Sequence, residues 1–280
     1  MSALLALLSA LVWGTSDFGA GLLSRRLRPL VVIAWSQAIA LLALMVVVAL
    51  RGLPETPLGD WVPWAVGAGV TGSLGLLAFY AALATGTMGV VAPIAALGAA
   101  IPVLLGVLSG ESPSPIAWAG IIVAIIGVVL ASGPELQQGL GARPVLLACL
   151  AAVGFGLTLF AIARGARVTL LHTLWGMRLT SCFGYAAIAL SVRSLGGVGR
   201  RDVGLVGAVG LGDLLANALF GAASSMGMLS IASVLGSLYP VATILLARRF
   251  LHERLRRVQI VGVSVAMLGI VLIAGFGRAA

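Results

Sequence analysis

The stretch QIVGVSVAMLGIVLIAG, residues 259–275, occurs a second time in altered form as AWAGIIVAIIGVVLASG, residues 117–133. Each copy is an apolar run close to the length that crosses a bilayer, with glycines at the same steps. The shift of 142 residues that aligns the copies also aligns other positions: Trp13 with Phe155, Gly14 with Gly156, Phe18 with Phe160 and Glu111 with Glu253. The chain is therefore predicted to contain one structural unit twice.

Composition indicates that both units lie in a membrane. Hydrophobic residues make up 61% of the 280 residues and charged residues only 9%, far from the balance of a soluble domain. The formal net charge of +9 is carried by arginines that stand in short runs between apolar segments. This pattern is typical of loops that stay in the cytoplasm, and we expect no nucleic-acid partner.

Ten apolar segments follow one another along the chain, separated by polar or Gly/Pro-rich stretches, and each is predicted to be a transmembrane helix. They are residues 3–23, 30–50, 61–84, 88–108, 116–132, 144–163, 170–192, 203–224, 228–250 and 258–276. The first has no basic residue before Arg25, unlike a signal peptide, and is interpreted as the first helix. The predicted fold class is an all-α integral membrane protein.

The ten segments divide into two halves of five, residues 1–135 and 136–280, within a single membrane domain. Because five is odd, the halves must cross the membrane in opposite orientations, and inverted repeats of this kind are typical of transporters. The loop between the ninth and tenth segments is rich in arginine, whereas the matching loop around Glu111 has none. Placing the Arg-rich loops in the cytoplasm predicts that both termini lie outside.

Asp213 and Asn217 lie one helical turn apart in the eighth segment and share one face. Asp213 is roughly 15 Å from the start of the segment, near the middle of a hydrocarbon layer about 30 Å thick. Ionisable side chains at that depth usually mark functional sites. We assign both residues to substrate binding and Asp213 to proton coupling. The alternative is a structural ion pair with Arg178, the one arginine well inside an apolar segment.

Asp17 is the second carboxylate within an apolar segment, and Trp13 lies one turn back on the same face. The two side chains together can stack on a substrate and hydrogen-bond to it. We therefore assign both to substrate binding and Asp17 also to proton coupling. An interfacial role remains open, because Asp17 is only about two turns from the end of its segment.

Three further aromatic residues are substrate-binding candidates. Tyr80 and Phe220 occupy related places in the third and eighth segments, and Tyr239 lies in the ninth. A buried tyrosine hydroxyl needs a hydrogen-bond partner, which a substrate can supply. Core packing is the alternative interpretation.

Three prolines within apolar segments are hinge candidates: Pro93 and Pro102 in the fourth segment and Pro240 in the ninth. Proline removes a backbone hydrogen bond and tends to kink a helix, freeing carbonyl groups that can line a cavity. A static kink is the alternative for each.

The motif WGTSDF, residues 13–18, and the run SLYPVATILLARRFLHERLRRVQIVGVSVAMLGIVLIAG, residues 237–275, resemble the EamA family of the drug/metabolite transporter superfamily. The resemblance covers nearly the whole chain and is most specific at Pro240, Glu253 and Gly262. The first half departs from the pattern, because Gly98 stands where the second half has Pro240. The resemblance implies a metabolite transporter, often an amino-acid exporter, with a central cavity lined chiefly by the first, third, fourth, sixth, eighth and ninth helices.

The sequence lacks the patterns of other function classes. It has no intramembrane His/Glu zinc pattern, no Ser/His pair at matching depth and no nucleotide-binding loop, and its two cysteines have no metal-type spacing. We expect no enzymatic activity, no cofactor and no metal.

The predicted function is secondary export of a small polar metabolite, such as an amino acid, by alternating access at a midplane cavity. The expected partners are this substrate and membrane lipid, in the plasma membrane, in a form compatible with function as a monomer. The alternatives are a flippase for lipids or lipid-linked sugars, a nucleotide-sugar transporter and a membrane-embedded enzyme. Either of the first two would need more cationic groups in the cavity.

Overall fold

The computed structural model describes residues 1–108, 114–116, 118–120, 122–123, 125–127, 130, 142–191, 196–226, 229–251 and 257–275. These residues form helices joined by turns and short loops, and no β-strand occurs among them. Five of the described helices are long and apolar enough to cross a membrane. The predicted boundary between the halves, at residues 135 and 136, and the loop glutamates Glu111 and Glu253 lie outside the described residues.

The first three helices are continuous: α1 (Ser2–Ser24), α2 (Pro29–Arg51) and α3 (Leu58–Thr85). Each matches a predicted segment to within three residues. Proline at the start of α2 leaves no hydrogen bond unmade, because the first N–H groups of a helix have no partner within it. Gly52 ends α2 with a φ of +83°, a conformation that favours glycine.

The fourth predicted segment is broken in its middle. It consists of α4 (Met88–Ala96), a 3₁₀ turn (Leu97–Ala99) and α5 (Ala100–Leu108). Pro102 lacks the N–H group that would bind the Gly98 carbonyl in an uninterrupted α-helix, which explains the position of the break. By contrast, α4 continues through Pro93. At the place of the fifth predicted segment, the described residues between 115 and 130 are helical.

The sixth and seventh predicted segments form two helical arms that meet at a kink, and together they span α6 (Arg143–Ser191), 49 residues. The predicted loop ARGARV, residues 163–168, is wrong, because these residues are helical and only Thr169 has non-helical torsion angles (φ −157°, ψ 108°). A Cβ atom at Gly165 would overlap the Thr173 side chain, although eight residues of straight helix are about 12 Å long. The chain therefore bends back sharply at Thr169.

The remaining elements are α7 (Arg200–Met226), α8 (Leu229–Gly236), α9 (Tyr239–Leu246) followed by a π-helical turn (Ala247–Leu251), and α10 (Arg257–Gly275). The ninth predicted segment is thus broken between α8 and α9 at Ser237 and Leu238. Pro240 follows this break and lacks the N–H group that would bind the Gly236 carbonyl. Helix breaks therefore occur near the middle of both the fourth and the ninth predicted segments.

Close contacts at glycines connect the two halves. Gly14 of α1 packs against the backbone of α9, where the Thr243 hydroxyl donates a hydrogen bond to the Gly14 carbonyl at 3.0 Å. Gly156 of α6 packs in the same way against Gly98 and Ile101. The shift of 142 residues that takes Gly14 to Gly156 also takes Ile101 to Thr243. A side chain at either glycine would collide with the opposing helix.

Candidate functional site

An ion pair between Arg178 and Asp213 lies at the centre of the helix bundle. Arg178 is on the second arm of α6, after the bend, and Asp213 is near the middle of α7. Nη2 of Arg178 donates a hydrogen bond to Oδ2 of Asp213 at 2.7 Å. The arginine is 0% exposed and the aspartate 9% exposed. Of the two interpretations that the sequence left open for Asp213, the structure has the paired one.

Gln37 of α2 contacts both members of this pair. Its Oε1 accepts a hydrogen bond from Nη1 of Arg178, and its Nε2 donates to Oδ2 of Asp213 at 3.4 Å. Sequence reasoning missed Gln37. A signal was present, because Gln37 and Ser36 are the only polar residues in the apolar segment 30–50.

Two more side chains donate to the other oxygen of Asp213. Nε1 of Trp13 lies 3.3 Å from Oδ1, and Nδ2 of Asn217 lies 3.0 Å from the same atom. The carboxylate therefore accepts hydrogen bonds from four side chains on α1, α2, α6 and α7. An ionised carboxylate has about four acceptor positions, so its hydrogen-bonding capacity is filled.

A cavity of about 70 Å³ adjoins this cluster. Its walls come from α1, α3, the end of α4, both arms of α6, α7 and the two helix breaks at Leu97–Ala99 and between α8 and α9. Five of the predicted substrate-binding residues line it: Trp13, Asp17, Asp213, Asn217 and Tyr239. The structure therefore brings together residues that are up to 226 positions apart, from Trp13 to Tyr239.

Asp17 differs from Asp213 in having no partner. Its side chain is 8% exposed and lines the cavity, and within the described part of the chain its carboxylate makes no hydrogen bond or ion pair. Asp213 of α7 acts on it electrostatically, and Asp17 in turn acts on Tyr80 of α3 and Tyr239 of α9. Asp17 is thus a buried acid that faces open space.

Tyr80 and Phe220, the other two predicted substrate-binding residues, are not among the described residues that line the cavity. Phe220 is fully buried behind the wall, with its ring 5.7 Å from that of Trp13. Tyr80 is 2% exposed, next to the ring of Phe79 at 6.2 Å. In this conformation both residues support the lining rather than form it.

The predicted hinge prolines have different surroundings. Pro102 and Pro240 each follow a helix break that contributes to the cavity wall, through Gly98 in the first case and Gly236 in the second. Pro93 lies inside the continuous α4. The hydroxyl of Tyr239, one residue before Pro240, donates to the Ala92 carbonyl at 3.2 Å and so ties the second break to α4.

Further lining residues were not singled out from the sequence, among them Phe155 and Thr158 on the first arm of α6 and Met177 on its second arm. The repeat offered a signal for Phe155, because it is the counterpart of Trp13. No comparable signal marked the other two. The Thr158 hydroxyl lies 2.9 Å from that of Thr71 and adds a polar pair beside an otherwise mainly apolar wall.

The charges around the cavity are two carboxylates, and no cationic side chain lines it within the described ranges. Arg178 stands behind the wall and neutralises Asp213, so one negative charge remains when Asp17 is ionised. No cluster of three or more His, Cys, Asp or Glu side chains that could hold a metal ion occurs among the residues that were placed. The arrangement suits a ligand with a cationic or hydrogen-bond-donating group.

Comparisons with known proteins agree with this architecture. A sequence model of the EamA-like transporter family matches residues 1–133 and 142–275. A solved crystal structure that is 18% identical in sequence superposes with a TM-score of 0.68, covering 99% of this chain and 97% of that chain. At that identity the similarity shows the fold alone. No curated protein sequence matches the chain.

Proposed function

This chain belongs to the EamA-like transporter family, and from that membership we propose that it is a secondary active transporter that exports a small polar metabolite, such as an amino acid. Membership makes it an integral membrane transporter of the drug/metabolite transporter superfamily. The proposal adds a substrate class, a mechanism and a location, the plasma membrane. The observation that carries it is the unpartnered carboxylate of Asp17 in the wall of a central cavity.

The charge of the cavity supports a substrate with an amino group. Asp213 is neutralised by Arg178, whereas Asp17 offers a negative charge with no counter-ion among the described residues. An ammonium group can fill that place with a charge-assisted hydrogen bond. Phosphate groups would meet two carboxylates and no lining cation, so the flippase and nucleotide-sugar alternatives receive no support from the described lining.

The volume of the cavity supports a small substrate. Because a cavity needs at least about 10 to 15 Å³ to hold one water molecule, 70 Å³ corresponds to roughly five water molecules. That space accepts an amino acid with a short side chain more readily than a lipid headgroup. The rings of Trp13, Phe155 and Tyr239 in the wall add apolar contact area for the carbon skeleton.

Alternating access is the proposed mechanism, with two inverted halves of five helices, ten spans in all, rocking about the cavity. The related contacts of Gly14 with α9 and of Gly156 with Gly98 and Ile101 support this arrangement, since each joins one half to the other in the same way. Broken helices at a central cavity also suit it, since unwound backbone at membrane depth is tolerated where it lines a cavity.

We assign proton coupling to Asp17 rather than to Asp213. Asp213 is held by four hydrogen-bond donors, one of them a guanidinium, whereas Asp17 faces the cavity without a partner among the described residues. A proton and the ammonium group of the substrate would then compete for the same carboxylate. That competition produces exchange: a proton that binds Asp17 from the outside displaces the substrate to the outside, and the carboxyl group then releases the proton to the inside.

Reconstituted vesicles test the proposal. Purified protein in proteoliposomes is loaded with a panel of labelled amino acids and small metabolites, and a pH gradient is imposed. We expect efflux of at least one solute to accelerate when the outside is more acidic, and Asp17→Asn to abolish this acceleration.

Asp60→Asn is the matched control, because Asp60 is exposed in the first turn of α3. It should retain the proton dependence. Failure of every solute in the panel to move would contradict transport of a small metabolite, and unchanged proton dependence in Asp17→Asn would contradict the assignment of Asp17.

A further inference from the structure

Gln37 lies outside the cavity lining and yet contacts both charged groups of the central ion pair. Its side chain is 2% exposed in the middle of α2. A buried carboxamide in an apolar helix needs hydrogen-bond partners, and here both ends of the amide have one. The contacts cross 141 positions to Arg178 and 176 to Asp213, so α2 is joined to α6 and α7 at this point.

The orientation of the Gln37 amide follows from the chemistry of its neighbours. A guanidinium is only a donor and an ionised carboxylate only an acceptor, so the carbonyl oxygen must face Arg178 and the NH₂ group must face Asp213. The amide thus adds one hydrogen bond to each charged group without adding a charge. A carboxylate at this position would instead place two anions around one cation.

We propose that Gln37 is a positioning residue whose uncharged amide holds Arg178 and Asp213 together as a neutral unit, so that Asp17 is the one acid of the cavity that exchanges a proton. The inference rests on the proposed function, in which Asp17 carries the coupling proton. It assigns a separate role to position 37, which sets how many acids compete for the single guanidinium.

The surroundings of both acids on the described helices bear on this inference. Asp17 is acted on by Asp213 of α7 and itself acts on Tyr80 of α3 and Tyr239 of α9. The titratable groups that Arg178 acts on besides Asp213 are Tyr80 of α3 and, on α6 itself, Cys182 and Tyr185. Tyrosine and cysteine ordinarily remain neutral at neutral pH. Protonation, addition or removal of a carboxylate is therefore the change that alters the charge of this cluster.

Infrared difference spectroscopy can count the buried acids without any substrate. Spectra of the protein in lipid bilayers at about pH 5 and about pH 9 show the carbonyl stretch of each carboxylic acid that becomes protonated across the range. Slow exchange in heavy water separates buried acids from exposed ones. We expect one buried acid band in the wild-type protein and none in Asp17→Asn.

Substitution of Gln37 by Glu should change the number of buried acid bands. We expect Gln37→Glu to show two buried acid bands, because the introduced glutamate and Asp213 would share one guanidinium. The double variant Gln37→Glu/Asp213→Asn should return to one band, since it exchanges the carboxylate and the amide around Arg178. In that variant the arginine can pair with the introduced glutamate, and the introduced asparagine can donate to it where the glutamine once donated to Asp213.

The outcomes that would overturn the inference are distinct from failure of the proposed function. A buried acid band that remains in Asp17→Asn and disappears in Asp17→Asn/Asp213→Asn would show that Asp213 already exchanges a proton in spite of Gln37. A second band in Gln37→Glu that survives Asp213→Asn would show that a glutamate at this place is protonated through burial alone. Absence of the Asp17 band from the wild type would contradict the proposed coupling site. The role of Gln37 would still be tested, because Gln37→Glu should gain one band that Asp213→Asn removes.

Thermal unfolding in detergent covers the case in which Gln37→Glu is too unstable for spectroscopy. If the unit is neutral, the unfolding midpoint should fall in Gln37→Glu, which has an excess anion, and in Asp213→Asn, which has an unpaired cation. It should recover in the double variant. A double variant no more stable than the worse single variant would overturn the inference.

Discussion

The guanidinium of Arg178 contacts the carboxylate of Asp213 at 2.7 Å, with no part of the arginine exposed. Two residues only 35 positions apart thereby fasten the second arm of α6 to α7 at the centre of the bundle. A buried pair of this kind adds little net stability over an apolar replacement, but loss of one partner leaves an uncompensated charge.

Substitution of Arg178 by Met is expected to destabilise the protein by about 3 to 5 kcal/mol, because Asp213 would remain buried without its counter-ion. The measurement is the thermal unfolding midpoint in detergent. Arg164→Met is the control on the same element, since Arg164 is exposed and lies over the rings of Trp64 and Phe160, away from the ion pair. Equal loss of stability in the two variants would contradict a special role for the pair.

Substitution of Trp13 by Phe is expected to raise the KM of transport roughly tenfold. The variant keeps an aromatic ring beside Phe220 but loses the donor to Asp213, and a hydrogen bond to a charged group contributes about 1.5 to 3 kcal/mol. Trp35→Phe is the control, because that indole donates to the Gly196 carbonyl away from the cavity. A KM that rises equally in both would argue against a role of the Trp13–Asp213 hydrogen bond in shaping the substrate site.

Substitution of Pro240 by Ala is expected to lower the maximal transport rate by about tenfold, with a smaller change in KM. Alanine restores the N–H group that can bind the Gly236 carbonyl, so α8 and α9 can join into one straighter helix. Pro93→Ala is the comparison, because α4 already continues through that residue. If transport rates show the two variants to be equally active, Pro240 is not a hinge.

Substitution of Gly156 by Ala is expected to destabilise the protein by about 1 to 3 kcal/mol, because the added methyl group would overlap Gly98 and Ile101. Gly67→Ala is the matched control, since a Cβ there meets no atom within 4 Å. The control should leave stability unchanged or raise it by up to about 1 kcal/mol. Thermal unfolding of the two variants side by side tests this contact between the halves.

Hydropathy was enough to place α1, α2, α3 and α7, since long apolar runs with polar ends leave little choice about where a helix lies. It was wrong at residues 163–168, where arginines were interpreted as a loop but the helix continues to Thr169. Charged residues near a membrane surface are compatible with helix, so polarity alone does not end one.

The charged members of the site were predictable because a buried ionisable residue is rare enough to identify one by one. Asp17, Asp213 and Arg178 were all found in this way. Gln37 was missed because an amide in an apolar run is less costly, and only the folded structure shows that it reaches Arg178 across 141 positions. The cavity position of Thr158 likewise depends on how α6 packs against α3.

At the bend, the two arms of α6 are joined by a single non-helical residue, Thr169. The first arm carries Phe155 and Thr158 in the cavity wall, and the second carries Arg178 behind it. Because one residue joins the arms, a change in its two torsion angles is enough to reorient one arm relative to the other. A change of torsion angles at Thr169 would therefore move Phe155 and Thr158 relative to the ion pair.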